Sequence, residues 1–146
     1  MEHIKDCIAA LREAAPEIDI AENELMRRHT TFAIGGPADL FVQPKTRREL
    51  TAALAVLRER NIPFLLLGNM LVADAGIRGA VVCTSELDEV RVNEDNTVSA
   101  EAGALLSRIA RRAQRSGLTG AEFAGGIPGS LGGAVYMNAG AYDGTM

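Results

Sequence analysis

The residues best suited to serve a ligand lie in one glycine-rich stretch at 122–144, which reads EFAGGIPGSLGGAVYMNAGAYDG. Seven of the chain's fifteen glycines fall between Gly125 and Gly144. Glycine permits positive φ and lets a ligand approach the main chain closely. Flexible linkers consist of Gly and Ser without apolar order, whereas this stretch also carries aromatic and aliphatic residues. The pattern favours a packed loop against a flat cofactor, and a set of buried turns without a ligand is the alternative.

Three motifs of the chain resemble those of the UDP-N-acetylenolpyruvoylglucosamine reductases. The second flavin-contacting motif of that family, Glu-x-x-x-x-Ile-Pro-Gly, then Gly-Gly-Ala, then Met-Asn-x-Gly-Ala-Tyr, is matched at Glu122, Ile127, Pro128, Gly129, Gly132, Gly133, Ala134, Met137, Asn138, Gly140, Ala141 and Tyr142. Residues 29–38 (HTTFAIGGPA) resemble the opening Thr-Phe-x-Ile-Gly-Gly motif. Residues 73–79 (ADAGIRG) resemble the Asp-x-Gly-x-x-Gly that follows the first flavin loop. The resemblance runs from about residue 20 to the end of the chain.

The resemblance implies an α+β fold, the two-lobed FAD-binding fold of the vanillyl-alcohol oxidase or PCMH type, incomplete at its C-terminal end. Residues 1–74 are expected to form a strand–helix–strand lobe and residues 75–146 a truncated second lobe, without the C-terminal substrate domain. The intact protein is expected to use NADPH and FAD to reduce the enolpyruvyl group of UDP-N-acetylglucosamine enolpyruvate to UDP-N-acetylmuramate, a peptidoglycan precursor.

The chain as it stands is expected to be inactive, because the family's catalytic arginine, serine and glutamate would lie beyond Met146. No catalytic residue is therefore assigned. Two alternatives stay open: an FAD-binding module without activity of its own, and another flavin oxidase or dehydrogenase of the same fold. The run from Met137 to Tyr142 favours the reductase.

The resemblance assigns cofactor contacts to two loops, at Gly68, Asn69, Met70, Leu71, Ile127, Pro128, Gly129, Gly132, Gly133, Ala134, Tyr136, Asn138 and Gly140. Gly132, Gly133 and Ala134 are expected to bring a helix N-terminus to the pyrophosphate or ribityl chain, and close helix packing is the alternative. The resemblance assigns Tyr142 to substrate binding. The alternative is that this tyrosine only holds the loop in place. Asp143 stands where the family usually has Gly, and it tolerates left-handed geometry better than most residues.

The first flavin loop departs from the family pattern. Relatives are expected to read Leu-Gly-x-Gly-Ser-Asn, whose glycines let successive N–H groups form a nest for phosphate oxygens. Here the sequence reads Leu67-Gly68-Asn69-Met70, so three residues of the pattern are absent. Asn69 is either the residue before the missing Gly-Ser-Asn or its final Asn. The gap is either a real deletion, which would weaken flavin binding, or an unresolved mobile loop.

Composition excludes several other classes of function. The formal charge is −4 and no block of like charges suggests a nucleic-acid surface; Arg108, Arg111, Arg112 and Arg115 fit a solvated helix face. Cys7, Cys83 and the two histidines have no metal-site spacing, so no metal is expected. With no signal peptide or transmembrane segment, we expect a monomeric cytoplasmic protein.

Local signals predict the elements that position these loops. Helices are predicted over 4–15, from a capping box at Thr46 and Glu49 to Asn61, and over 104–116 with Gly117 at C′. Short strands are predicted at 41–42, 63–67 and 80–84, the last two buried, and a hairpin joins 90–92 to 97–101. Residues 17–28 are expected to be irregular. The strand–helix–strand order predicts a parallel pair with a helical crossover.

Overall fold

The computed structural model describes residues 2–146, and its contacts divide the chain into two units, Met1–Glu86 and Leu87–Met146. The sequence places this boundary near residues 74–79, so the prediction is wrong by one strand. The strand that follows residue 76 pairs on both sides with strands of the first unit. It therefore cannot belong to the second.

Unit 1 is a four-stranded sheet with two helices. In chain order its elements are α1 (Glu2–Ala14), β1 (Asp19–Leu25), a 3₁₀ turn (Met26–Arg28), β2 (Pro37–Gln43), α2 (Arg47–Glu59), β3 (Phe64–Leu66) and β4 (Ile77–Val82). The predicted N-cap of α2 is confirmed, because the Glu49 N–H donates to Thr46 Oγ1 at 3.2 Å. The carboxylate of Glu49 in turn accepts from the Lys45 N–H at 2.6 Å.

The strand order is β1-β2-β4-β3, with β1 antiparallel to β2 and both β2 and β3 parallel to β4. Strands β2 and β3 are thus parallel across the α2 crossover as predicted, but β4 lies between them. Two expectations fail here. Residues 19–25 form a strand rather than an irregular segment, and β3 is an exposed edge, with Leu65 and Leu66 each at least half exposed.

Each face of this sheet buries its own apolar cluster. Helices α1 and α2 cover one face, where Leu11 and Leu57 pack with Leu40 and Val82 of the strands. The opposite face buries Met26, Ala38, Phe41, Val72, Val81 and Cys83. Ala38 and Leu40 lie on opposite faces despite their even spacing, because the β2–β4 register shifts between them. The second cluster fixes the connection that carries the first flavin loop.

Unit 2 is smaller and built around one helix. It contains the hairpin β5 (Val90–Val92) and β6 (Val98–Ala100), α3 (Leu106–Arg115), a 3₁₀ helix (Glu122–Gly126), α4 (Leu131–Tyr136), and the short strands β7 (Gly140–Ala141) and β8 (Gly144–Thr145). The predicted stop of α3 is confirmed: Gly117 has φ +70°, and the Leu118 N–H donates to the Ala113 carbonyl. Leu105 immediately precedes α3 and is 55% exposed.

None of the helices within residues 2–146 combines the length and the apolar character needed to cross a bilayer.

Candidate functional site

The glycine-rich stretch folds around a small apolar cluster of unit 2. Ala124 and Ala134 are buried there with Leu106 of α3, and Ile127, Leu131 and Phe123 pack against them. Ser130 caps α4 through its side chain, which accepts from the Gly133 N–H. These apolar residues anchor the loop. Four other apolar residues of the stretch are exposed, namely Val135, Tyr136, Met137 and Tyr142.

Three glycines of this stretch are required by the protein's own packing. A Cβ on Gly132 would lie 2.9 Å from Ala102 Cβ and 3.1 Å from its carbonyl oxygen. A Cβ on Gly140 would lie 2.8 Å from the Gly144 carbonyl oxygen, and one on Gly144 would collide with the Phe123 side chain. Close packing, the alternative reading of the Gly132–Ala134 run, therefore applies to Gly132.

Gly129 and Gly133 are different, because none of the described residues crowds them. A Cβ on Gly129 would have no atom within 4 Å, although its φ of +132° favours glycine, and one on Gly133 would meet only Ser130 Oγ at 3.4 Å. The N–H groups of Gly129 and Ser130 find no acceptor within residues 2–146. This short run therefore presents bare main chain with two free donors, a surface that suits a flat or anionic ligand.

The N-terminus of α4 is less available than its sequence suggests. The Leu131 N–H donates to the Ala104 carbonyl and the Gly132 N–H to the Ala102 carbonyl, both at 2.8 Å, while the Gly133 N–H is used by the Ser130 cap. These three donors are satisfied internally, so they are not free to hold phosphate oxygens. The free donors lie one step earlier, at Gly129 and Ser130, and Ser130 has no place among the predicted contacts. The sequence feature that could have identified Ser130 is its position between a glycine turn and the start of a helix, which is typical of an N-cap.

Tyr142 lies at the tip of the β7–β8 hairpin. Its φ is +52° and that of Asp143 is +65°, the pattern of a type I′ turn. Asp143 thus takes the left-handed geometry expected of it. The tyrosine ring is 87% exposed and borders a shallow cleft of about 380 Å³ lined also by Glu122 and Phe123. A tyrosine in left-handed backbone is unusual. Because Tyr142 is largely exposed, burial of its side chain does not explain this conformation.

Asn138 also has positive φ, at +46°, and its exposed side chain has no hydrogen-bond partner within the described residues. Tyr136 is 89% exposed at the end of α4, and Pro128 is exposed in the turn before Gly129. These three predicted contacts are therefore each exposed, whereas Ile127 packs inward and Ala134 is buried.

The first flavin loop lies in unit 1, between β3 and residue 72. Gly68, Asn69 and Leu71 are exposed, and Leu71 is 75% exposed. The N–H groups of residues 68–71 donate to no acceptor within residues 2–146. Met70 instead packs toward the Phe41 and Val81 face of the sheet, so its side chain belongs to the scaffold.

The glycines of the other two motifs allow backbone segments of unit 1 to pack in direct contact. A Cβ on Gly36 would overlap the Asp74 carbonyl, and one on Gly76 would overlap that of Pro37. The Gly36 N–H donates to the Ala73 carbonyl at 3.0 Å. These positions let two backbone segments cross in contact, so their role is structural.

Side chains also link neighbouring segments of unit 1. Asp39 pairs with Arg78 at 2.6 Å and accepts from the Gly79 N–H at 2.9 Å. His29 stacks on Phe41 with ring centroids 4.3 Å apart, and its Nε2 lies 2.9 Å from Glu24 Oε1. The hydrogen bond from His29 is the main reason that the pKa of Glu24 lies below its ordinary value.

Within residues 2–146, no group of three or more His, Cys, Asp or Glu side chains is arranged to hold a metal ion. The arginines of α3 are exposed, and Arg108 pairs with Asp88.

A family model described as an FAD binding domain matches residues 38–146. Among curated proteins, the UDP-N-acetylenolpyruvoylglucosamine reductase of Caldanaerobacter subterraneus is 52% identical over 93% of this chain and 46% of its own length. The reductase of Clostridium tetani is 43% identical over 149 aligned positions, which cover all of this chain and 48% of that protein. The chain thus spans about half the length of these relatives. Since it has only 146 residues, at least three aligned positions have no counterpart in it.

Solved structures are also similar to this chain over part of their length. The UDP-N-acetylenolpyruvylglucosamine reductase of Thermus caldophilus superposes with a TM-score of 0.67 at 33% identity, over 88% of this chain and 45% of that one. A variant of berberine bridge enzyme superposes with a TM-score of 0.62 at 12% identity, over 77% of this chain and 26% of that one. At so low an identity the second likeness concerns the fold alone.

Proposed function

Because this chain belongs to the FAD-binding domain family, we propose that it is the FAD-holding portion of a reductase that acts on UDP-N-acetylenolpyruvoylglucosamine. Its α+β fold is the FAD-binding fold of the vanillyl-alcohol oxidase type. The proposal of this activity for the intact protein is supported by relatives of that name at 43% and 52% identity.

One structural observation carries the proposal: the bare main chain at Gly129, Ser130 and Gly133. The protein's packing accounts for Gly132, Gly140 and Gly144, but it gives no reason for a glycine at 133. A surface of this kind accepts a planar ligand in contact with backbone, and its two free N–H groups donate to ligand oxygens. The residues of unit 2 therefore fit FAD.

We assign distinct tasks to the residues of this loop. Pro128 fixes φ and Gly129 allows the sharp turn after it, which leaves the N–H groups of Gly129 and Ser130 without internal acceptors and available to a ligand. Ile127 and Ala134 hold the loop to the core through buried contacts. Asn138 offers an uncommitted amide to the cofactor, and Tyr136 offers an exposed ring. In unit 1, the exposed side chains of Asn69 and Leu71 remain proposed contacts.

The chemistry that FAD supplies when bound is two-electron redox, by which a hydride from NADPH reaches the enolpyruvyl double bond. The phenol of Tyr142, exposed at the hairpin tip, is proposed to donate a hydrogen bond to the nucleotide-sugar substrate and to stack its ring on it. A proton added to the adjacent carbon would complete the product, UDP-N-acetylmuramate, a precursor of peptidoglycan. The free thiols of Cys7 and Cys83 suit the reducing cytoplasm, and we propose a cytoplasmic monomer.

A second candidate is another flavin oxidase or dehydrogenase of this fold. The likeness to berberine bridge enzyme supports the fold and carries no activity. The Met137–Tyr142 run and the reductase relatives favour the reductase.

Two measurements on the intact protein test the proposal. Flavin absorbance at about 450 nm in the purified protein is expected from an FAD binder. Oxidation of NADPH should then depend on the enolpyruvyl nucleotide, whereas oxidation by molecular oxygen with an alcohol or amine substrate would favour the second candidate. Protein that takes up no FAD would refute both.

A further inference from the structure

We infer that the first flavin loop of this chain has lost its phosphate-holding nest, and that the protein therefore retains FAD at least tenfold more weakly than it would with a loop of full length. The inference rests on the proposed FAD binding and concerns only how strongly unit 1 contributes to it. Three independent observations support it: the length of the loop, its backbone conformation and the way its ends are tied.

The first observation is length. At least three positions of a reductase relative have no counterpart in this chain. The one place where the chain falls three residues short of the motif is Leu67-Gly68-Asn69-Met70, where Leu-Gly-x-Gly-Ser-Asn is expected. The absent residues include the second glycine, which leaves Gly68 as the only glycine between β3 and residue 75. Each lost residue also takes away one N–H donor.

The second observation is conformation. A nest forms when successive residues alternate between right-handed and left-handed backbone, because their N–H groups then converge on one point. No residue from 62 to 75 has a positive φ, and the nearest on either side are Asn61 and Gly76. The four N–H groups of residues 68–71 are free of internal acceptors, yet without a left-handed residue they do not converge. They are donors without a binding concavity.

The third observation explains why the loop cannot adapt. At one end, the Leu67 N–H donates to the Val82 carbonyl at 2.8 Å, and its side chain packs toward the cluster around Phe41. At the other end, Val72 is buried in that cluster. Met70 packs there as well, so only Gly68 and Asn69 remain unanchored before it. Two residues give too short a reach for an additional turn.

The size of the effect follows from the hydrogen bonds that a nest provides. A hydrogen bond to a charged oxygen changes affinity by roughly tenfold to a hundredfold. The loss of two or three such bonds, partly offset by the exposed N–H groups that remain, makes a tenfold loss the minimum expected. The free donors at Gly129 and Ser130 belong to unit 2 and are unaffected, so FAD binding is weakened and not abolished.

The main test restores the loop in the intact protein. Gly-Ser-Asn is inserted between Asn69 and Met70; Asn-Gly-Ser inserted before Asn69 gives the same sequence, so the choice of alignment does not matter. A matched control inserts Ala-Ala-Ala at the same place. Apoprotein is titrated with FAD, and the Kd is read from the quenching of flavin fluorescence. The Gly-Ser-Asn insertion is expected to lower the Kd at least tenfold, and the alanine insertion less than threefold.

A second variant keeps the test decisive if an insertion disturbs folding, which far-UV circular dichroism would reveal. Because Gly68 lacks positive φ and has open space around it, Gly68→Ala in the unextended protein should leave the Kd for FAD within about twofold. A loss of tenfold or more would place Gly68 in a working nest and overturn the inference.

The outcomes separate this inference from the proposed function. If the unextended protein binds FAD as tightly as the Gly-Ser-Asn variant, the inference is wrong and FAD binding stands. If the alanine insertion gains as much as Gly-Ser-Asn, loop length alone is responsible and the nest is refuted. If no version binds FAD, the proposed function fails and takes this inference with it.

Discussion

The glycine motifs of the two units look alike in sequence but use glycine for different reasons. In unit 1, Gly36 and Gly76 lie where two backbone segments touch, and a Cβ on either would overlap a carbonyl group. In unit 2, a Cβ on Gly129 would face open space, and one on Gly133 would meet only Ser130 Oγ at an ordinary contact distance of 3.4 Å. The first pair lets the chain pack against itself, and the second leaves main chain exposed.

This difference shows how glycines that belong to the fold can be told apart from those that belong to a ligand. Glycine density alone gives no distinction, because Gly132 and Gly133 are neighbours and only Gly132 is crowded by Ala102. The informative quantity is what a Cβ would meet. A glycine that the protein's own atoms do not require is the better candidate for contact with an absent partner.

The largest expected effect breaks the crossing in unit 1. In Gly36→Ala the new methyl overlaps the Asp74 carbonyl, and backbone cannot move aside cheaply, so the free energy of unfolding should fall by about 3 kcal/mol or more. Gly68→Ala, with nothing within 4 Å, should change it by less than about 1 kcal/mol. Urea unfolding of the apoprotein measures both. Equal stabilities would remove the distinction between crowded and open glycines.

The second-largest effect should distinguish the neighbouring residues Gly132 and Gly133 of unit 2. Gly133→Val places two methyl groups on the open surface, so the purified protein should lose its flavin while far-UV circular dichroism stays near normal. Gly132→Ala should instead lower the free energy of unfolding by roughly 1–3 kcal/mol, because its Cβ meets Ala102 at 2.9 Å. Full flavin occupancy in Gly133→Val would show that Gly133 does not contact the cofactor.

A smaller effect concerns the exposed hairpin tip of unit 2. Tyr142→Phe in the intact protein should raise KM for the enolpyruvyl nucleotide by a few-fold to about tenfold, since one neutral hydrogen bond is worth roughly 0.5–1.5 kcal/mol. Flavin content should not change. Tyr136→Phe is the matched control: it removes the hydroxyl of the other exposed tyrosine but keeps the ring proposed to contact the cofactor, so KM for the enolpyruvyl nucleotide should not change. Unchanged kinetics with a lower Tm would make Tyr142 a scaffold residue.

The smallest effect tests the side chains that fasten unit 1. The lowered pKa of Glu24 means that its contact with His29 stabilises the protein above pH 4.5, its ordinary value, and that this stability is lost as the pH falls through the lowered pKa. Glu24→Gln should therefore reduce the free energy of unfolding at pH 6 by less than about 1 kcal/mol. The difference from the parent should shrink as the pH falls through the lowered pKa of Glu24. A difference that does not depend on pH would exclude the carboxylate as its cause.

Elements with strong local signals were predictable from the sequence. The cap at Thr46, the stop at Gly117 and the β5–β6 hairpin follow from residues within a few positions of one another. Strand β1 was missed because its polar residues gain their order from pairing with β2. The burial of β3 was wrong because an edge strand is defined by which neighbour is absent, and sequence does not report that.

The sequence by itself determined the family, the three motifs and the short first loop, because these are matters of residue type and spacing. Only the tertiary structure decided which glycines face open space, that the α4 donors at Leu131 and Gly132 are already used, and that β4 belongs to unit 1. Each of those depends on an atom supplied from elsewhere in the chain, such as the Ala102 carbonyl or the Asp74 carbonyl. Spacing along the chain carries no record of such partners.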